Sequence, residues 1–88
     1  MRWRVRFERR ALKELDRLGQ AEKARVSRFI NDRLVGCDDP RSIGEALHGP
    51  MAHRWKYRVG DYRVIAELDD GVITITIVRV GHRSGVYR

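Results

Sequence analysis

The chain has 88 residues, enough for one domain with a modest core and too few for two. A composition of 42% hydrophobic and 35% charged residues excludes a disordered chain, and no run of eighteen apolar residues offers a membrane-spanning helix. The formal net charge of +7 says nothing of fold but narrows the partners to nucleic acid, an anionic membrane surface or an acidic protein.

Residues 2–7, RWRVRF, alternate strictly, with Trp3, Val5 and Phe7 on one face and Arg2, Arg4 and Arg6 on the other. Period two with aromatic and β-branched residues predicts a half-buried strand. Ala11, Leu12, Leu15 and Leu18 then recur at helical spacing, and Gly19 ends that helix. A second helix is expected with Ala21, Val26, Phe29, Ile30 and Leu34 inward and Lys23, Arg25, Arg28 and Asp32 outward. Gly36 lies just past it, where a left-handed cap is cheap for glycine. Residues 36–52 hold the breakers and read as the longest irregular stretch, with residues 43–47 packing back onto the core.

The last third reads as a meander with strands at residues 54–59, 62–68 and 72–80. Gly60-Asp61 and Asp70-Gly71 both suit two-residue hairpin turns. The first turn sets Val59 opposite Tyr62, Arg58 opposite Arg63 and Lys56 opposite Ile65. The second sets Asp69 opposite Val72, Leu68 opposite Ile73, Ala66 opposite Ile75 and Val64 opposite Ile77. The expected fold is α+β: a strand, a two-helix hairpin, then a three-stranded antiparallel meander, with the helices on one sheet face and the other face open. Residues 1–88 form a single domain in this reading.

The open face would carry Arg54, Lys56, Arg58 and Arg63 beside Ile65, Glu67, Thr74, Thr76 and Val78. Arg54 faces Glu67, an ordinary ion pair. Arg58 faces Arg63, and like charges directly across a sheet are destabilising. An anion among them would relieve the repulsion and gain charge-assisted hydrogen bonds. The tail GHRSGVYR adds His82, a candidate acid or base, the fixed cation Arg83, and Tyr87 with its ring and hydroxyl. Folded over the basic face, these groups suit a single-stranded RNA phosphate and its neighbouring base. The matching reaction is attack of a 2′-hydroxyl on the adjacent phosphate, which calls for a base, cations around the transition state and an acid, with no cofactor. His48, His53 and His82 lack metal-ligand spacing, no P-loop or dinucleotide fingerprint occurs, and the single cysteine, Cys37, is expected as a small loop or core residue. With no signal peptide at MRWRVRFERR, a cytoplasmic location is expected.

The order strand, helical hairpin, WKYRVGDYRVI and VGHRSGVYR resembles the RelE/ParE superfamily of bacterial toxins, most closely the RelE branch of type II toxin–antitoxin modules. The resemblance implies a fold like that of small microbial ribonucleases and a ribosome-dependent endoribonuclease that cuts mRNA. It implies that Lys56 is an active-site lysine, that Arg63 binds phosphate, that Arg83 stabilises the transition state or protonates the leaving group, and that Tyr87 stacks on a base. Arg54 and Arg58 would bind RNA. Arg58 stands where some members carry a lysine proposed as general base, and arginine is too basic for that role. Lys56, Tyr87 or His82 would then take the proton, or catalysis would rest on electrostatics. The implied partners are a cognate antitoxin protein, mRNA and the ribosome, and operator DNA through the antitoxin complex, with no membrane. The alternative from the same superfamily is a ParE-like inhibitor of DNA gyrase without nuclease activity.

Overall fold

Alternation at the amino terminus becomes strand β1, Arg4–Phe7, in a computed structural model that describes residues 2–87. Trp3 is buried, Val5 and Phe7 pack against the core, and Arg4 and Arg6 face water. Helix α1, Arg9–Asp16, buries Ala11 and Leu15, and helix α2, Gln20–Phe29, buries Val26. Two expected inward residues face out: Leu12 and Ala21 are exposed, because such short helices offer the core one narrow stripe. Helix α2 then widens into a π-helical turn, Ile30–Leu34, with the Val35 amide bonded to the Ile30 carbonyl at 2.9 Å. The wider turn keeps Ile30 and Leu34 both inward. Gly36 takes the expected left-handed conformation at φ 75° and donates its N–H to the Trp3 carbonyl.

The stretch read as irregular is more ordered than expected. A 3₁₀ turn, Pro40–Ile43, leads into a two-residue strand β2, Glu45–Ala46, and a second 3₁₀ turn spans Gly49–Met51. Strand β3, Arg54–Val59, pairs with β2 through Glu45–Lys56 and Ala46–Trp55. Gly44 is the hinge of this arrangement, since a Cβ there would lie 2.6 Å from the Tyr57 ring. That ring cannot step aside: it is fully buried, and its hydroxyl donates to the Pro40 carbonyl at 2.9 Å. Burial, with Cys37 nearby, pushes the Tyr57 phenol well above its ordinary range. A raised phenol favours the fold below the unfolded value of about 10, and that contribution fades as pH climbs beyond it. Tyr57→Phe is therefore expected to cost about 1 kcal/mol near neutrality, by orphaning the Pro40 carbonyl, and to flatten the loss of stability above about pH 10. Urea unfolding from neutral to alkaline pH measures both effects. Cys37 is half-buried, and burial pushes its thiol up as well.

Strand β4, Tyr62–Asp69, follows the Gly60-Asp61 turn in the expected register, with Gly60 at φ 61°. The second hairpin differs. Strand β5 is Thr74–His82, and Asp69 pairs with Thr74, so residues 70–73 form a four-residue loop in place of the two-residue turn. The Asp69 carboxylate accepts from the Gly71 and Val72 amides, and Ile73 sits at φ 50°. Arg41 grips Asp70 with two bonds of 3.0 and 2.8 Å. Leu68 therefore meets Ile75 and Ala66 meets Ile77. A slip of two residues keeps every side chain on its face, which is why the expected core face survives the wrong register. A bulge at Ile65/Ala66 then breaks the alternation, and Val64 meets Val80.

The sheet has five strands in the order β1-β5-β4-β3-β2, with β1 parallel to β5 and all other neighbours antiparallel. The main core lies between sheet and helices and includes Trp3, Leu15, Val26, Leu34, Tyr57 and Ile75. A second, smaller cluster of Ile65, Val78 and Val86, with Leu47 against it, lies on the other face. That face is therefore not fully open. No helix of the described residues is long and apolar enough to cross a membrane.

Candidate active site on the basic sheet face

The face away from the helices carries the expected cations. Lys56 stands opposite Ile65, Arg58 opposite Arg63, and Arg54 opposite Glu67 with its Nε 3.0 Å from that carboxylate. His53 reaches the same Glu67 oxygen at 3.3 Å. The repulsion between Arg58 and Arg63 is relieved within the chain. The Arg63 guanidinium turns back to the carbonyls of Gly60 and Tyr62, at 2.9 and 2.8 Å. Arg58 Nε lies 3.2 Å from Glu45 Oε1, and Lys56 Nζ lies 3.9 Å from Glu45 Oε2. Glu45 thus brings a carboxylate to both Lys56 and Arg58.

Sequence reasoning missed Glu45 because it sits among breakers. The available signal was period two: Glu45 and Leu47 project to the same face, Glu45 onto Lys56 and Leu47 onto the small cluster. Lys56 is mostly covered, whereas Arg58 is open to solvent.

The tail folds onto this face. The amides of Gly85 and Val86 both donate to the His82 carbonyl, at 2.9 and 3.0 Å, which reverses the chain after β5. Val86 is then buried against Ile65 and Val78, over Gly81, where a Cβ would lie 3.5 Å from the valine side chain. Ile65, opposite Lys56 on β3, is the seat of the tail. The Arg83 amide donates to the Asp61 carbonyl at 2.8 Å, tying the tail to the same turn that holds Arg63. The side chains on either side of Val86 stay exposed: Arg83 at the turn, and Tyr87 with 39% of its surface open.

His82 does not join them. It pairs with Tyr62, whose ring packs toward the main core, and the two rings meet edge-on at 5.6 Å. Paired residues share a face, so His82 lies on the helix side of the sheet, opposite the cations. The expected placement relied on a tail folding over the basic face from residue 81, whereas β5 runs on to His82 and its bulge sets that residue on the helix side. The His82 ring is further engaged by Ser84, whose hydroxyl and amide lie 2.7 and 3.1 Å from Nδ1. Among the described residues no group of three His, Cys, Asp or Glu side chains is arranged to hold a metal ion.

The arrangement can neutralise a phosphate with Lys56, Arg58, Arg63 and Arg83, stack a base on Tyr87, and accept a proton at Glu45. Comparison with known proteins gives this arrangement its setting. The family model described as the ParE toxin of the type II toxin–antitoxin system parDE matches residues 5–87. Toxin RelG of Mycobacterium tuberculosis is 33% identical over 88 residues, covering 100% of this chain and 99% of its own. The mRNA interferase toxin RelE of Escherichia coli K12 is 30% identical over 84 residues, covering 92% and 85%. Among solved structures, the toxin–antitoxin complex RelBE2 of M. tuberculosis matches with a TM-score of 0.85 at 31% identity, covering 94% of this chain and 100% of that one. The isolated E. coli RelE toxin shares the fold with a TM-score of 0.72 at 22% identity, covering 91% and 83%. The chain belongs to the RelE/ParE superfamily and is a toxin of a type II toxin–antitoxin system.

Proposed function

We propose that this toxin is an endoribonuclease that cleaves mRNA on the ribosome by 2′-hydroxyl attack on the adjacent phosphate. The observation that supports the reading is that Lys56, Arg58 and Arg63 share one face of the β3–β4 hairpin and that Val86 packs the tail, with exposed Arg83 and Tyr87, onto that face. Names of relatives support it, since one of them is called an mRNA interferase toxin.

In this reading the phosphate enters beside Lys56 and Arg58 and displaces part of the hold of Glu45 on them. Glu45 then serves as the general base. It is the carboxylate on this face that approaches Lys56 and Arg58, whereas Arg58 cannot give up its proton and His82 is on the far face. The 2′-oxygen bonds to phosphorus and its proton passes to Glu45. The bond from phosphorus to the 5′-oxygen breaks, leaving a cyclic phosphate, and the 5′-oxygen takes a proton from water. Charge that builds on the phosphate oxygens is met by Lys56, Arg63 and Arg83, and Tyr87 holds the base by stacking. A cognate antitoxin belongs to the same proposal, because the RelBE2 relative was solved as a toxin–antitoxin complex and a chain of net charge +7 suits an acidic binding segment. Operator DNA would be bound through that complex, in the cytoplasm.

The test is primer extension along a translated reporter mRNA after brief induction, with Glu45→Gln in parallel. Cuts within translated codons, about a hundredfold or more weaker in Glu45→Gln, are the expected result. Equal cutting by the variant would remove Glu45 from the chemistry. Intact mRNA in cells that stop growing would sink the ribonuclease reading. The ParE family description favours gyrase as the next target, and a supercoiling assay with purified gyrase would then decide.

A further inference from the structure

The basic face does not end at β4. Register carries it across the whole sheet: Arg54 pairs with Glu67, Glu67 with Thr76, and Thr76 with Arg6, while in the next row Asp69 pairs with Thr74 and Thr74 with Arg4. Arg4, Arg6, Thr74 and Thr76 line a shallow hollow of about 340 Å³ on this side, with Asp69 at its rim. Among the described residues neither Arg4 nor Arg6 has an ion pair or side-chain hydrogen bond. The acids nearby are already engaged. Glu67 is held by Arg54 and His53, and the Asp69 carboxylate caps the amides of Gly71 and Val72. The strip is thus a pair of unspent guanidinium groups with the Thr76 hydroxyl between them and the rest of the face. Three strand spacings of about 4.8 Å place it about 14 Å from β3, a span of two or three nucleotides of a single strand.

We infer that Arg4 and Arg6, with Thr76, form a second phosphate-binding strip that holds nucleotides of the substrate RNA flanking the cleaved one. The inference rests on the proposed ribonuclease reading and extends its site across β5 to β1. Two arguments favour an RNA strand as occupant. The charge is complementary and not internally neutralised, and the strip is continuous with the face that bears Lys56 and Arg58. Arginine on an exposed edge strand also satisfies a phosphate in two places at once, which suits a backbone that must be followed and not read.

The experiment measures binding of uncleavable, fully 2′-O-methylated RNA oligonucleotides, from about four to about twelve nucleotides long, across a range of salt. The wild-type protein should bind longer strands more tightly until the strip is filled. Arg4→Gln/Arg6→Gln should lose that gain with length. Its slope of log affinity against log salt should be shallower by about 1.4, the release expected for two phosphates of a single strand. A control, Arg9→Gln/Lys13→Gln on the exposed side of α1, removes the same charge from the helix side and should leave the slope as it was. An unchanged slope in the β1 variant, or an equal fall in the control, would overturn the strip and leave the ribonuclease reading standing. Cleavage in cells without any length-dependent binding would do the same. Absence of both cleavage and binding would overturn both.

Discussion

Arg83→Ala is expected to lower mRNA cleavage by two to three orders of magnitude and to leave the fold and antitoxin binding intact. The magnitude follows from removing one preorganised cation from a phosphate whose charge grows in the transition state, a loss of about 3–4 kcal/mol. The intact fold follows from what Arg83 does in the free protein. Its backbone amide anchors the tail to Asp61, and that bond survives the substitution. Its side chain is exposed and carries no packing. Lys56→Ala should fall in the same range for cleavage but with a different signature, because Lys56 also approaches Glu45. Primer extension on a translated reporter reads the cleavage, and co-purification with the antitoxin reads the fold. Full toxicity in Arg83→Ala would remove the tail from the chemistry, and Tyr87 would lose its assigned place with it.

Legibility in the sequence followed the range of the signal. The β1 alternation, the helical hairpin and the register of β3 with β4 were all readable, because period two and a Gly-Asp turn are local. From them came the pairing of Arg58 with Arg63, and hence the basic face. The β4–β5 register was not readable. Asp70-Gly71 looks like a tight turn, yet the Asp69 side chain and the grip of Arg41 on Asp70 favour a longer loop. Neither partner is visible in a hydrophobic pattern. The bulge in β5 had a further consequence. It turned His82 toward Tyr62 and away from the cations, while leaving Gly81 under Val86. Strand β2 is two residues long, so the period-two signal of Glu45 and Leu47 is brief and lies among breakers, and it carries no information on which strand Glu45 pairs with.

Glu14→Ala is expected to destabilise the protein by about 3 kcal/mol, although Glu14 lies on a helix and looks like one charge among many. Strand β1 ends at Phe7, and the Glu8 amide makes the last bond to β5, at the Ile77 carbonyl. Past that point the edge of β5 has no strand beside it. The Glu14 carboxylate takes its place: Oε1 accepts the Val80 amide at 2.9 Å, and Arg79 Nε lies 3.0 Å from Oε2. Both side chains are mostly buried, at 19% and 11% exposed, so removing the acid takes a carboxylate partner from Arg79 and leaves the Val80 amide without its acceptor. At roughly 4–8 °C per kcal/mol for a domain of this size, the melting temperature should drop by well over 10 °C. Glu14→Gln keeps an acceptor for Val80 and should recover part of the loss, whereas a variant with equal or greater loss would show that the amide contact contributes little. Thermal unfolding followed by circular dichroism makes the comparison. The bulge that Glu14 grips is also what sets Gly81 beneath Val86. Cleavage by Glu14→Ala should therefore fade with temperature along the unfolding curve, where loss in Arg83→Ala is the same at every temperature at which the protein is folded. Those opposite temperature signatures separate the residue that holds the platform from the residue that acts on the phosphate.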